Sequence, residues 1–157
     1  MQKDTIFALS TPQGVGGVAV IRISGPQAQA ALQALFQPAG TSPMEPRKLI
    51  YGRFVFDGTQ IDDGMAVLFC APASYTGEDS AELHCHGSLA VVQQLLGALG
   101  TLPGLRPAEP GEFTKRAFLH GKMDLSQAEA VMDLIGAEGL AAARQSLSQL
   151  HGTLFAK

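Results

Sequence analysis

The dipeptide Asp57-Gly58 constrains this chain more than any other feature. It lies between two apolar runs, KLIYGRFVF (48–56) and IDDGMAVLF (61–69). Two residues that tolerate positive φ, set between strand-like runs, form a tight hairpin turn, so the runs should be antiparallel neighbours in a sheet. Two further β-branched runs, 4–9 (DTIFAL) and 18–24 (VAVIRIS), flank the glycine-rich turn TPQGVGG, and 81–86 (AELHCH) reads as another strand.

Helical stretches alternate with these strands. After Gly25, PQAQAALQALF is rich in helix formers, and Pro26 suits a first helical turn. Residues 88–99 (SLAVVQQLLGAL) are helical by pattern, with Ser88 as N-cap. The segments 37–47, APASYTGEDS (71–80) and TLPGLRPAEPGEF (101–113) read as connections, and a short helix is expected around Thr114–Leu119. The expected fold class is therefore α/β, a mixed sheet with packed helices.

From Asp124 the pattern changes. Asp124 with Gln127, and Ser126 with Glu129, have capping-box spacing ahead of a long helical run. Leu140, Ala143, Leu147, Leu150 and Leu154 step by threes and fours, which lays one apolar seam along a helix. Gly136 and Gly139 fall inside that run, where each costs about 1 kcal/mol against alanine and a bend can form. Unbroken, about thirty residues at 1.5 Å each reach roughly 45 Å, so the seam needs a partner subunit or further helices to cover it. This divides the chain into a domain over 1–122 and the start of a helical domain over 123–157.

Composition narrows the function classes. With 46% hydrophobic residues, 16% charged residues and a net charge of -3, the chain is globular and is not built mainly to hold a phosphate backbone. Cys70 and Cys85 are its two cysteines, too few for a disulfide framework, which fits a reducing, cytoplasmic setting. No run approaches the ~18 apolar residues of a spanning helix, and the first residues lack a signal-peptide core.

Several motifs carry candidate chemistry. Gly14 to Ala19 (GVGGVA) matches a dinucleotide fingerprint, but a strand follows it where a helix N-terminus must receive the pyrophosphate, so nucleotide binding is rejected. The Gly121-Lys122 pair is followed by methionine and lacks the rest of a P-loop. Glu82, His84 and His86 alternate on a strand and share one face, as divalent-metal ligands or as polar pocket lining; Cys85 points the other way, toward the core. Arg22 is the one charge in VAVIRIS and must reach water, an acid or an anion. Lys115, Arg116 and Lys122 form a modest basic cluster that reads as a solvated face.

Three segments together carry a resemblance. DTIFALSTPQGVGGVAVIRISGP (4–26), SYTGED (74–79) running into AELHCHG (81–87), and PGEFTKRAFLHGKMDLSQAEAVMDLI (110–135) resemble, in order and spacing, the N-terminal region of the MnmE (TrmE) family of tRNA-modifying GTPases. The resemblance implies a domain like the folate-binding domain of the glycine-cleavage T-protein group, followed by a long C-terminal helix. It implies a homodimer that binds 5-formyl- or methylene-tetrahydrofolate. With a flavin-containing partner, MnmG, the full protein would form a 5-carboxymethylaminomethyl-type modification at the wobble uridine of tRNA. The family's folate-contacting residues fall on Arg22, Glu82 and Lys122. No catalytic residue or metal ligand is carried over. The GTPase domain, with its GTP, magnesium and potassium, would follow this segment, so the chain alone should not hydrolyse GTP. Val15 and Ser88 stand where relatives commonly carry a basic residue and a glycine.

Two alternatives stand beside this reading. One is a stand-alone folate-dependent one-carbon transferase, with Asp79 and His86 as acid–base candidates. The other is a purely structural dimerisation module built on the leucine seam.

Overall fold

The computed structural model describes residues 4–12, 17–41 and 43–138. It divides into two compact units, one of Met1–Ser74 with Glu78–Pro107 and one of Tyr75–Gly77 with Ala108–Lys157.

The first unit is a mixed, seven-stranded sheet in the order β3-β4-β5-β6-β2-β1-β7. Its strands are β1 (Thr5–Leu9), β2 (Val18–Ser24), β3 (Phe36–Pro38), β4 (Ile50–Phe56), β5 (Thr59–Phe69), β6 (Ser80–His86) and β7 (Leu105–Pro107). Neighbours pair antiparallel except β1 and β7, which run parallel. The expected hairpin joins β4 to β5, with Asp57 at φ 53 and Gly58 at φ 78, both left-handed as a two-residue turn of this kind requires. A bulge beyond Phe54 leaves Ile61 unmatched in the register.

Two helices cover one face of the sheet, α1 (Ala28–Leu35) and α2 (Leu89–Gly100). Ala28, Ala31, Leu32 and Leu35 of α1 and Val92, Leu95, Ala98 and Leu99 of α2 bury against Ile21, Ile23, Phe54, Ala66, Leu68, Ala81 and Leu83. Ser88 caps α2 as its sequence predicts, accepting from the Val91 N–H at 3.3 Å. Helix α1 starts at Ala28 rather than Pro26. The buried Thr5 hydroxyl accepts from the Gln27 N–H at 2.8 Å, so the entry turn is set by β1 instead of by proline.

Strands β3 and β7 correct the reading of 37–47 and 101–113 as plain connections. Each has three residues, ends in a proline and lies at a sheet edge, where a missing N–H costs no ladder bond. Their pairing with distant strands, Phe36 with Phe54 and Thr5 with Leu105, leaves no local periodicity to read.

The second unit holds α3 (Glu112–Leu119) and α4 (Leu125–Glu138). Gly121, at φ 74, closes α3: its N–H donates to Phe118 O and the Lys122 N–H donates to Ala117 O. The Gly-Lys pair is thus a helix stop. The capping box at the start of α4 is reciprocal, with Asp124 N–H to Gln127 Oε1 and Gln127 N–H to Asp124 Oδ1, each 2.8 Å. Helix α4 passes through Gly136; Gly139 and the Leu140–Leu154 seam lie outside the described residues. Among the described residues no helix is long and apolar enough to cross a membrane.

The pairing of β5 with β6 makes a test. A Cβ on Gly64 would sit 2.1 Å from the backbone oxygen of His84, whereas one on exposed Gly97 in α2 would meet nothing within 4 Å. Gly64→Ala should therefore destabilise by about 1–3 kcal/mol. Gly97→Ala should stabilise by about 0.5–1 kcal/mol through helix propensity. Urea denaturation midpoints of the two variants should move in opposite directions.

Candidate functional site: the open face of the sheet

Strand alternation sorts β6 into two sets. Ala81, Leu83 and Cys85 are buried with the helices, while Glu82, His84 and His86 take the other face. Burial pushes the Cys85 thiol up to about 11, and the charge of Asp62 adds to the shift. Across β2, Arg22 is registered opposite Glu82 and Val20 opposite His84; across β5, Val67 faces Glu82 and Met65 faces His84. Arg22 of β2 thus meets Glu82 and His84 of β6, with Val20, Val67 and Met65 as their registered neighbours.

Glu82 is the hub of that patch. Its Oε1 lies 3.0 Å from His84 Nε2 and its Oε2 lies 3.8 Å from Arg22 Nε. The first is a hydrogen bond; the second is an ion pair too long to be one. All three side chains keep between 22% and 28% exposure, so the group is screened yet reachable. The His84 hydrogen bond holds the Glu82 carboxyl below the usual carboxylate range; burial opposes this, and the Arg22 charge assists. The result is an ionised acceptor whose Oε2 has capacity for further donors.

The alternating trio read from sequence splits in the fold. His86 turns to Asp62 of β5, with Nδ1 at 2.8 and 2.9 Å from the two carboxylate oxygens, and its backbone N–H donates to Asp62 Oδ2 at 2.9 Å. Asp63 accepts from the Tyr51 hydroxyl at 2.6 Å. One ligand atom each from Asp62, Asp63 and His86 lies within 4.8 Å of the others, a set that could hold a divalent ion better than Glu82, His84 and His86 together. Sequence reading missed Asp62 and Asp63 because only the β5–β6 register brings them beside His86. Val18, Asp63, Met65, His84 and His86 line a hollow of about 220 Å³ on this face.

The remaining candidates have structural partners. Asp79, offered as an acid–base group, accepts from the Ala71 N–H at 2.8 Å through Oδ1 and so closes the 71–80 loop. Glu78 in the same loop accepts from the Ser24 hydroxyl at 2.7 Å. The basic cluster is not a uniformly solvated face, because Arg116 is 1% exposed and pairs with Glu112 at 3.5 Å. Lys122 belongs to the second unit, where Gly77 leaves room for its stem: a Cβ there would lie 3.3 Å from Lys122 Cγ. Arg22 and Glu82, by contrast, meet within the first unit.

Comparison with known proteins adds a second line. The family described as "GTP-binding protein TrmE N-terminus" matches residues 5–122. The chain is 52% identical over 153 residues to the tRNA modification GTPase MnmE of Parvibaculum lavamentivorans, covering 96% of this chain and 34% of that protein. It is 48% identical over 168 residues to the protein of the same name from Rhodospirillum rubrum, covering 98% of this chain and 36% of the relative. The Phenylobacterium zucineum protein of that name is 53% identical over 153 residues, with 97% and 33% covered. The chain thus spans about a third of the length of these relatives.

The His86–Asp62 contact gives a pH signature. The hydrogen bond to Asp62 raises the His86 pKa above its ordinary value, with the Asp62 charge adding to it. A raised folded-state value means that the contact's stabilisation is full below the unfolded pKa of about 6.5 and fades as pH climbs through the raised value. In NMR titrations, His86 should titrate above an ordinary histidine, and Asp62→Asn should bring its midpoint down.

Proposed function

Because this chain belongs to the MnmE (TrmE) family as its N-terminal part, we propose that it is the tetrahydrofolate-binding, dimer-forming portion of a tRNA-modifying GTPase. In the full protein it acts with the flavin-containing MnmG partner to form the 5-carboxymethylaminomethyl-type group at the wobble uridine. GTP, magnesium and potassium belong, in this reading, to a GTPase domain beyond the present segment, and the setting is cytoplasmic. The sheet with two helices on one face suits a domain of the glycine-cleavage T-protein kind, leaving the other face for ligand and partner.

The observation that carries the folate reading is the ionised, half-buried Glu82 between His84 and Arg22. A reduced pterin presents adjacent N–H donors along one edge, and a carboxylate accepts such a pair through its two oxygens. Folate also carries carboxylates on its tail, which Arg22 or Lys122 would hold by charge and hydrogen bonding. The first unit's own groups fit the ligand class: Glu82 as an acceptor for the ring edge and Arg22 as a cation for a carboxylate. When bound, the folate would supply a one-carbon unit; these side chains would bind and orient it. Apolar exposure on the same face, 56% at Val18, 52% at Tyr51 and 37% at Met65, supports a second subunit covering part of it.

Calorimetry with 5-formyl-tetrahydrofolate tests the proposal. The chain should bind, and Glu82→Ala should weaken binding by roughly tenfold to a hundredfold, as expected for losing about 1.5–3 kcal/mol of charge-assisted hydrogen bonding. Absence of binding heat from the folded wild-type chain would overturn the reading.

A further inference from the structure

The open face holds a histidine to which the folate reading assigns no contact with the ligand. We propose that His84 is a positioning residue for Glu82. It donates from Nε2 to Glu82 Oε1, fixes the plane of the carboxylate, and keeps it ionised before the ligand arrives. The proposal rests on Glu82 being the acceptor for the pterin edge.

The geometry follows from strand periodicity. Side chains two residues apart on β6 stand on one face, separated by roughly 6–7 Å along the strand, so only long side chains can bridge them. Glutamate and histidine do so here, with Nε2 and Oε1 at 3.0 Å. The flanking strands offer Glu82 little else. On β5 its registered neighbour is Val67, which carries no donor. On β2 it is Arg22, whose Nε is 3.8 Å away, beyond hydrogen-bonding length. Among the described residues, His84 is thus the side chain that sets the orientation of Glu82, and Arg22 supplies charge.

Orientation matters because a free glutamate side chain must be ordered on binding, and that ordering subtracts from affinity. A carboxylate whose Oε1 is already tethered presents its remaining lone pairs in one direction. Among the described residues registered beside Glu82, those that titrate or carry charge are His84 on its own strand and Arg22 on β2; Val67 and Met65 of β5 and Val20 of β2 do neither. Without the His84 donor, burial is less opposed and the Glu82 carboxyl must protonate at higher pH. Folate binding would then fail earlier as pH falls.

The test is affinity for 5-formyl-tetrahydrofolate measured between about pH 4.5 and 8, around the carboxylate and imidazole ranges. The chains are wild type, His84→Ala, His84→Phe, His84→Gln and Glu82→Gln, each checked for fold by circular dichroism. His84→Ala and His84→Phe should bind about fivefold to fiftyfold more weakly at neutral pH, with the acid limb of the profile moved to higher pH. His84→Gln, whose amide N–H reaches as far as Nε2, should stay within about threefold of wild type and keep the acid limb in place. Should the first two lose the fold, His84→Asn, whose amide stops short of Oε1, replaces them against His84→Gln. If Glu82→Gln loses binding while every His84 variant keeps wild-type affinity and profile, the positioning role is overturned and the folate reading stands. If only the affinity falls and the acid limb does not move, His84 does not hold the carboxylate ionised and the proposal is likewise overturned. If wild type itself does not bind, both fall.

Discussion

The antiparallel pairing of β2 with β6 is the constraint on which the rest of this molecule depends. Its register runs unbroken from Val18 opposite His86 to Ser24 opposite Ser80. That one alignment places Ile21 and Ile23 beside Leu83 and Ala81 under the helices, and Arg22 beside Glu82 on the opposite face. A slip of β6 by a single residue would turn its side chains over, burying Glu82 and His84 and exposing Leu83. Core formation therefore enforces the site. No separate device is needed to bring the arginine and the glutamate together across 60 residues of sequence, Arg22 to Glu82.

Within that frame the charges are arranged unevenly. Arg22 and Glu82 are partners by register, yet the contact between them is the longer one, and the stronger local bond of Glu82 is to a histidine on its own strand. An exposed ion pair adds little to stability by itself. Here its value is better understood as helping to keep a carboxylate ionised beside Val20, Val67 and Met65. A second imidazole–carboxylate contact, His86 with Asp62, lies at the end of the same strand but is far more open, with His86 at 65% side-chain exposure. The two contacts use the same chemistry at different depths. Of the two histidines, only the inner one is sheltered, at 25% against 65% side-chain exposure.

What the sequence reveals about this fold follows the range of the interactions involved. The Asp57-Gly58 turn, the Ser88 cap and the Asp124–Gln127 box are formed by residues within four positions of each other, and all three appear in the structure where the residue types place them. So does the sorting of β6 into Glu82, His84 and His86 on one side and Cys85 on the other, because alternation is local. The misses are non-local. Strand β7 exists through Thr5 and Ile6 of β1, and β3 through β4. Asp62 meets His86 only through sheet register. Arg116 is the local exception: its pairing with Glu112, one helical turn earlier, accompanies a burial that the basic residue type does not announce. Of the three residues that the family resemblance assigned to folate, Arg22 and Glu82 are explained by register, whereas Lys122 is explained by a helix stop in the second unit.

The period of two along β6 has a consequence for how this segment tolerates change. Core packing and the polar cluster are not assigned to separate regions; they interleave residue by residue, with Ala81, Leu83 and Cys85 filling the core and Glu82, His84 and His86 facing outward. A volume change at Leu83, which is fully buried, is felt first as a packing defect and reaches the site only by shifting the backbone that carries its neighbours. A change at Glu82 or His84 leaves the core side chains untouched and alters charge and hydrogen bonding alone. The close approach of Gly64 to the His84 carbonyl ties the two sets together, since the backbone that bears His84 is clamped against β5 at that point. The imidazole is therefore held by a main chain with little freedom to move, and a rigid support of that kind is what a positioning side chain needs.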